Sequence, residues 1–297
     1  MAYEHLKENV RHIADLSDKE RINWINRRPW IGYRRATEIM EEMEALISHP
    51  KVERMPCILI VSQSNNGKTK LVKKFVERHP AYDNPEGEGI IIPALMIQAP
   101  PTADPAELYC CILSKLFAPF SPNDKFRKMK AQATDLLRKL DVRVLIVDEI
   151  HDILKGSISN QKKYLGELKN LTNEVQMPIV AVGTKDALRA FRTDIHLWNR
   201  FEVEPLPKWK NDNDFKRLLV TFKGILPLRE SSNFAEANLI ATLYSLSEGT
   251  IGELARLLRR AAIFAIKAKV EKIDLDVIQA LKYKPPSKRK KDAEGVV

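Results

Sequence analysis

The sequence predicts a parallel, doubly wound α/β domain followed by an all-helical one. Three observations carry that reading. From Cys57 to Leu206, short apolar runs alternate with amphipathic stretches, the pattern of strands joined by helical crossovers. The first run opens CILIVSQSNNGKT at 57–69, and a later one, VLIVDE at 144–149, ends in two carboxylates. After Lys208 nothing reads as a strand, and apolar residues fall at helical spacing.

The chain has 297 residues, room for about two domains of roughly 100–200 residues each. Hydrophobic residues make up 44% and charged residues 30%, a balance that suits a buried core. No run is long and apolar enough for a transmembrane helix, so no membrane partner is expected. The opening MAYEHLKENVRHIADLSDKE is too polar for a signal peptide. Cys57, Cys110 and Cys111 lack metal-ligand spacing and read as reduced thiols of a cytoplasmic protein. The net charge of +10 fits an anionic partner, most simply nucleic acid.

The expected organisation is a helical extension at 1–50, an α/β domain at 51–207, helices at 208–283 and a basic disordered tail at 284–297. In the extension, Trp24, Ile25, Trp30, Ile31 and Tyr33 are bulky anchors around Pro29. Trp30–Tyr33 either packs beside a nucleotide base or staples the next domain. Ala36, Ile39, Met40, Met43, Leu46 and Ile47 then fall on one helical face, which His49-Pro50 ends. Lys68–His79 is a helix with Leu71, Val72, Phe75 and Val76 facing the sheet. Turn residues fill Pro80–Glu88. Ile90–Ile97 is expected as the second strand, placed at a sheet edge by Pro93. Asp104-Pro105 caps a helix through about Phe117. A basic helix, Lys125–Leu140, precedes the third strand, Arg143–Val147, whose unbroken apolar run reads as buried and parallel. Gln161–Val175 is helical, Pro178–Val182 is the fourth strand, and Phe201–Leu206 is the fifth, after short helices at Lys185–Phe191 and Leu197–Arg200. Four helices follow at about Asp212–Lys223, Asn233–Ser245, Ile251–Lys269 and Asp274–Tyr283. The tail carries Lys282, Lys284, Lys288, Arg289, Lys290 and Lys291, a solvated run or a DNA contact.

Strand, polar loop, Gly67-Lys68-Thr69 and helix is the layout of a phosphate-binding P-loop. Its backbone N–H groups, from Ser64, Asn65, Asn66 and Gly67 into Lys68, Thr69 and Lys70, are expected to cradle phosphate oxygens. Lys68 would reach the β- and γ-phosphates, and the Thr69 hydroxyl would ligate Mg²⁺. Ser62 stands where the full pattern has its first glycine, and a positive φ there would cost serine more. Downstream, Asp148 would hold the Mg²⁺ shell and Glu149 would orient and deprotonate the attacking water. ATP or GTP binding follows from the pair of motifs. Thr184, ending the fourth strand, is a candidate γ-phosphate sensor or a turn residue. Arg200 is a candidate for the nucleotide of a neighbouring subunit or a surface arginine. The letters DEIH at 148–151 invite comparison with helicases, but no second nucleotide-binding core follows, and His151 reads as incidental.

Together, GKT at 67–69, VLIVDE at 144–149, GT at 183–184, RF at 200–201 and helices after Pro207 resemble an AAA+ ATPase. SNNGKT at 64–69, IVDEIHDIL at 146–154, VGTKDA at 182–187 and SEGTIGELARLLRRAA at 247–262 are similar to TniB/TnsC-type transposition ATPases, over about residues 20–283. The resemblance implies strand order 5-1-4-3-2 with a C-terminal helical lid. It implies ATP and Mg²⁺ as ligands, with Thr184 as sensor 1, Arg200 as arginine finger, Gln98 as a polar switch residue and Ile31 near the adenine. It implies rings or helical filaments of the protein on double-stranded DNA, linking a target-selection protein to a DDE-type transposase. The lid start, Gly249–Glu253, lacks the sensor-2 arginine of many relatives, which fits a slow switch. Lys125, Arg127, Lys128 and Lys130 are the expected DNA contacts, phosphate-directed and therefore sequence-independent, or else a solvated face. A replication-initiator or helicase-loader role and a non-hydrolysing, nucleotide-gated scaffold are the alternatives.

Overall fold

A computed structural model describes residues 3–27, 29–121 and 123–295. In chain order the elements are α1 (Glu8–Ala14), α2 (Asp18–Asn26), α3 (Arg34–Ser48), β1 (Cys57–Ser62), α4 (Lys68–Arg78), β2 (Tyr82–Asp83), β3 (Ile90–Ile91), β4 (Ala94–Gln98), α5 (Pro105–Lys115) and α6 (Phe126–Lys139). There follow β5 (Val144–Asp148), a 3₁₀ turn (Ile150–Lys155), α7 (Ile158–Val175), β6 (Ile179–Gly183), α8 (Ala187–Phe191), α9 (Ile195–Trp198) and β7 (Phe201–Leu206). The remaining helices are α10 (Asn213–Ile225), α11 (Ala237–Ser247), α12 (Ile251–Lys267), α13 (Leu275–Ala280) and α14 (Pro286–Glu294). These divide into an α/β unit, Arg34–Ser64 with Lys68–Pro207, and a helical unit, Met1–Tyr33, Asn65–Gly67 and Lys208–Val297.

The α/β unit is built on a five-stranded sheet of order β4-β5-β6-β1-β7, every pair parallel. Counted along the chain, that is the 5-1-4-3-2 order. β1, β5 and β6 are buried at every residue, as strands covered on both faces must be. Their side chains pack with Leu108 and Ile112 of α5, Leu137 of α6 and Leu168 of α7 in one core. Each such fully buried aliphatic side chain contributes about 1.5–3 kcal/mol. Burial also pushes the Cys57 thiol up to about 12, so it behaves as a core hydrophobe.

One expected strand is two. Ile90–Ile91 pairs antiparallel with Tyr82–Asp83 in a separate ribbon, and only Ala94–Gln98 joins the large sheet. Pro93 has no N–H to continue a ladder. Its carbonyl instead accepts from the N–H groups of Arg143 (3.1 Å) and Val144 (3.0 Å), which registers β5 against the start of β4. The expected edge position is observed for β4.

The helical unit centres on α10–α13, with Phe215, Leu219, Leu243, Leu254, Leu258 and Ala262 in its core. Residues 1–50 are not one extension. Ile25 of α2 belongs to the helical core. Arg21, fully buried, donates twice to Glu271 (2.7 Å each), to Asp18 (2.9 Å) and to the Pro227 carbonyl (3.2 Å). α3 instead belongs to the α/β unit, where Arg35 pairs with Glu204 and donates to the Pro205 carbonyl. The expected disordered tail also differs. Pro286 opens α14, the Ser287 N–H donates to Glu248 (2.9 Å), and Arg289 pairs with Glu253. The helix is held by those two carboxylates, one at the end of α11 and one in the first turn of α12, both far from α14 in sequence. Among the described residues, no helix is long and apolar enough to cross a membrane.

Candidate nucleotide site

Parallel order brings chemistry to one edge of the α/β unit. β1, β6, β5 and β4 are consecutive neighbours, about 4.8 Å apart, and all end on the same side. β1 leads into the loop. β6 delivers Thr184, β5 delivers Asp148 and Glu149, and β4 delivers Gln98, which is in register with Asp148. Thr69 sits half-buried in the first turn of α4. Ser64 and Lys70 are exposed at either end of this stretch.

Lys68 is 6% exposed, and its Nζ donates to the carbonyls of Ser62 (3.2 Å) and Gln63 (2.9 Å). Burial lowers its pKa, while the nearby carboxylates of Glu149 and Asp148 oppose that shift. Asp148 is 3% exposed and accepts the Glu149 N–H (2.9 Å) on Oδ1. Glu149 itself is left-handed, φ 56°, a strained setting for a residue with a β-carbon. Its carboxylate, 39% exposed, lies 3.3 Å from His151 Nδ1. The same nitrogen is 3.4 Å from the Thr184 N–H. The Thr184 hydroxyl donates to Asp186 (3.3 Å).

Ser62 does not need to be glycine. It ends β1 in extended backbone, and its Oγ donates to the Leu206 carbonyl of β7 (2.7 Å). The left-handed positions of the loop are Asn65 (φ 60°), a residue type that tolerates them, and Gly67 (φ 90°).

Asn65, Asn66 and Gly67 pack with the helical unit. The first N–H groups of α12 have no partners within their own helix. Ile251 N–H donates to Asn66 Oδ1 (3.4 Å) and Gly252 N–H to the Asn65 carbonyl (3.0 Å), so the loop caps the helix. Asn65 Nδ2 donates to Glu253 (3.1 Å), which also accepts from Tyr283 (2.7 Å) and pairs with Arg289. A β-carbon on Gly252 would come within 2.0 Å of Asn65 Oδ1 and 2.5 Å of its carbonyl. Ile31 is half-buried on the helical core, and Tyr33 stacks edge-on against Trp209 of the same unit (5.0 Å).

Two groups of predicted site residues lie elsewhere. Arg200 precedes β7 and accepts the Cys57 N–H on its carbonyl, at the amino end of the sheet. Its guanidinium donates to Asn173 (2.6 Å) and Thr172 (3.2 Å). On α6 and its cap, Lys125, Arg127 and Lys128 are exposed, and Lys128 pairs with Asp124 (2.9 Å). Lys130 turns inward to Glu167 (2.5 Å) and Glu174 (3.5 Å), where Tyr109 also donates to Glu167 (2.7 Å). Reading the sequence missed His151, Gly252 and Glu253. The letters were visible in DEIH and GTIGE, but their partners are remote in sequence.

The donor set suits a nucleotide with Mg²⁺. The sheet edge offers one lysine, one hydroxyl and one buried carboxylate, which leaves most of a Mg²⁺ shell to phosphate and water. Among the described residues no cluster of three or more His, Cys, Asp or Glu is placed to hold a metal by itself.

Solved structures share this architecture. The chain is similar to the ORC2 protein of Aeropyrum pernix in ADPNP-ADP complexes, with TM-score 0.58 and 14% identity over 82% of this chain and 66% of that one. It is similar to Aeropyrum pernix ORC1 in complex with DNA, with TM-score 0.56 and 14% identity over 84% and 63%. It is also similar to Cdc6p of Pyrobaculum aerophilum, with TM-score 0.53 and 12% identity over 81% and 64%. The chain thus spans just under two thirds of these neighbours' lengths. Likeness at such identity establishes the fold alone, the AAA+ arrangement of a five-stranded parallel sheet with helices. No curated protein matches the chain. A family model, described as bacterial TniB protein, matches residues 21–211, more than half of the 297. With that match on an AAA+ fold, the chain belongs to the bacterial TniB family.

Proposed function

We propose that this protein binds and hydrolyses ATP, assembles with copies of itself on double-stranded DNA, and thereby links target selection to a DDE-type transposase. The observation that carries the reading is the convergence of Lys68, Thr69, Asp148, Glu149 and Thr184 at the carboxyl edge of one parallel sheet, in a chain of the TniB family.

Backbone N–H groups from Ser64 to Lys70 cradle the phosphates, and Lys68 supplies charge to the β- and γ-phosphates. Thr69 and Asp148 are the groups that would hold Mg²⁺, which neutralises charge on the phosphates. Glu149 takes a proton from the attacking water as its oxygen bonds to the γ-phosphorus and the bond to the ADP oxygen breaks. Gln98, in register with Asp148, and Thr184 steer Glu149 and the water. Ile31 is the candidate adenine neighbour. Arg200, at the opposite end of the sheet from its own loop, would serve a neighbouring subunit. Exposed Lys125, Arg127 and Lys128 offer phosphate contacts, while Lys130 anchors their helix from within.

Glu149→Gln tests the reading. The variant is expected to keep ATP-dependent assembly on DNA and lose phosphate release. Wild-type protein that releases no phosphate with DNA and partners present would leave only a nucleotide-gated scaffold. The initiator-like neighbours favour a replication-initiator or helicase-loader role as second reading, through fold alone.

A further inference from the structure

His151 has no part in the mechanism above, although its place is tightly specified. It lies in the 3₁₀ turn after β5, three-quarters buried. Gly183, at the end of β6, allows the close approach. A β-carbon there would come within 2.9 Å of Ile150 and 3.4 Å of the His151 backbone nitrogen. The imidazole Nδ1 thus stands between the Glu149 carboxylate (3.3 Å) and the Thr184 N–H (3.4 Å). His151 pairs with the Glu149 carboxylate and spans the ends of two neighbouring strands.

One nitrogen cannot serve both neighbours at once. Bare, Nδ1 accepts the Thr184 N–H; carrying a proton, it donates to Glu149. Either way the imidazole limits where the carboxylate can swing. A general base must sit within about 2.6–3.2 Å of the proton it removes, so its orientation matters as much as its basicity. An unrestrained glutamate on a left-handed residue would sample many rotamers.

We propose that His151 is a positioning residue for ATP hydrolysis. Through Nδ1 it engages the Glu149 carboxylate when protonated and the Thr184 N–H when bare, which ties the carboxylate's orientation to the end of β6, where Thr184 meets the γ-phosphate. This rests on the hydrolytic role of Glu149 proposed above.

The test compares three substitutions. Asn carries its amide atoms at the position of Nδ1, whereas Gln carries them at the position of Nε2. His151→Ala and His151→Gln should lower kcat about tenfold or more, the equivalent of about 1.4 kcal/mol in the barrier. KM for ATP and ATP-dependent assembly on DNA should stay within about twofold. His151→Asn should recover most of kcat. A second readout needs no turnover: in nucleotide-free protein, the Nδ1 resonance of His151 should shift on Glu149→Gln, and the Thr184 amide resonance should shift on His151→Ala. An unchanged or raised kcat in His151→Ala would overturn the proposal. So would an effect on KM alone, equal recovery by Gln and Asn, or resonances that do not move. Wild-type protein without phosphate release would instead remove the hydrolytic reading and this role with it.

Discussion

Restoring the missing glycine of the phosphate loop should harm the protein. Ser62→Gly brings the loop to the full motif, yet Ser62 lies in extended backbone at the end of β1, where glycine's freedom has no use. Two losses follow. The buried hydrogen bond from Oγ to the Leu206 carbonyl, 2.7 Å long, disappears at a net cost of about 0.5–1.5 kcal/mol. A glycine in a strand adds roughly 0.5–1 kcal/mol of backbone entropy. The sum is about 1–2.5 kcal/mol, which at about 2–4 °C per kcal/mol lowers Tm by roughly 2–10 °C. Ser62→Ala removes only the bond and should cost about 1 kcal/mol. Nucleotide affinity, measured by titration with a fluorescent ATP analogue, should change by less than about twofold, or 0.4 kcal/mol, in both variants. Differential scanning fluorimetry without nucleotide gives the stability. A Ser62→Gly protein that melts at or above wild type, or binds nucleotide distinctly tighter, would refute the argument, because either result requires a strained backbone at Ser62.

Three further outcomes are expected. Phe201 pairs with Cys57, so Arg200 stands level with Pro56, six residue steps from Ser62 and therefore about 20 Å along the sheet from its own loop. Arg200→Ala should cut kcat by about 10³-fold, and mixing it with Lys68→Ala should restore activity by pairing intact halves; no recovery would argue against action across subunits. Gly252→Ala places a β-carbon against Asn65 and should weaken nucleotide binding about tenfold, or 1.4 kcal/mol. Unchanged affinity would mean that the loop does not depend on this cap. Burial raises the Glu271 pKa, but the hydrogen bonds from Arg21 outweigh it, so the folded value lies below the ordinary 4.5. Its contribution is therefore full above pH 4.5 and is lost as pH falls through the depressed folded value. Glu271→Gln, which leaves buried Arg21 with Asp18 as its one remaining carboxylate, should cost about 1.5–3 kcal/mol at neutral pH and flatten the acid limb of urea unfolding curves.

Much of the α/β unit was legible because its signals are local. Strands buried on both faces must be apolar throughout, and β1, β5 and β6 are. A phosphate loop needs its glycine, lysine and hydroxyl in consecutive positions, so 67–69 announced itself. The misread pieces depend on partners. Pro93 was read as a flaw within one strand, whereas its carbonyl organises β5 and leaves Ile90–Ile91 to a separate ribbon. Lys130 was grouped with its basic neighbours, because nothing nearby in sequence reveals Glu167, which lies on α7. Arg289 reads as part of a solvated run or a DNA contact for the same reason, since Glu253 is remote in sequence.

The sequence by itself determined the strand alternation, the AAA+ order of motifs and the short stretches that carry the candidate nucleotide site. Those follow from burial periodicity and from chemistry packed into short stretches. Only the tertiary structure decided that Ser62 is a strand residue bonded to β7, that Asn65 and Asn66 cap α12, that Ile25 of α2 joins the helical core and that His151 faces both Glu149 and Thr184. Each of these is a pairing between distant parts of the chain. A buried hydrogen-bonding group must find a partner, but which partner it finds depends on how the strands and helices have come together.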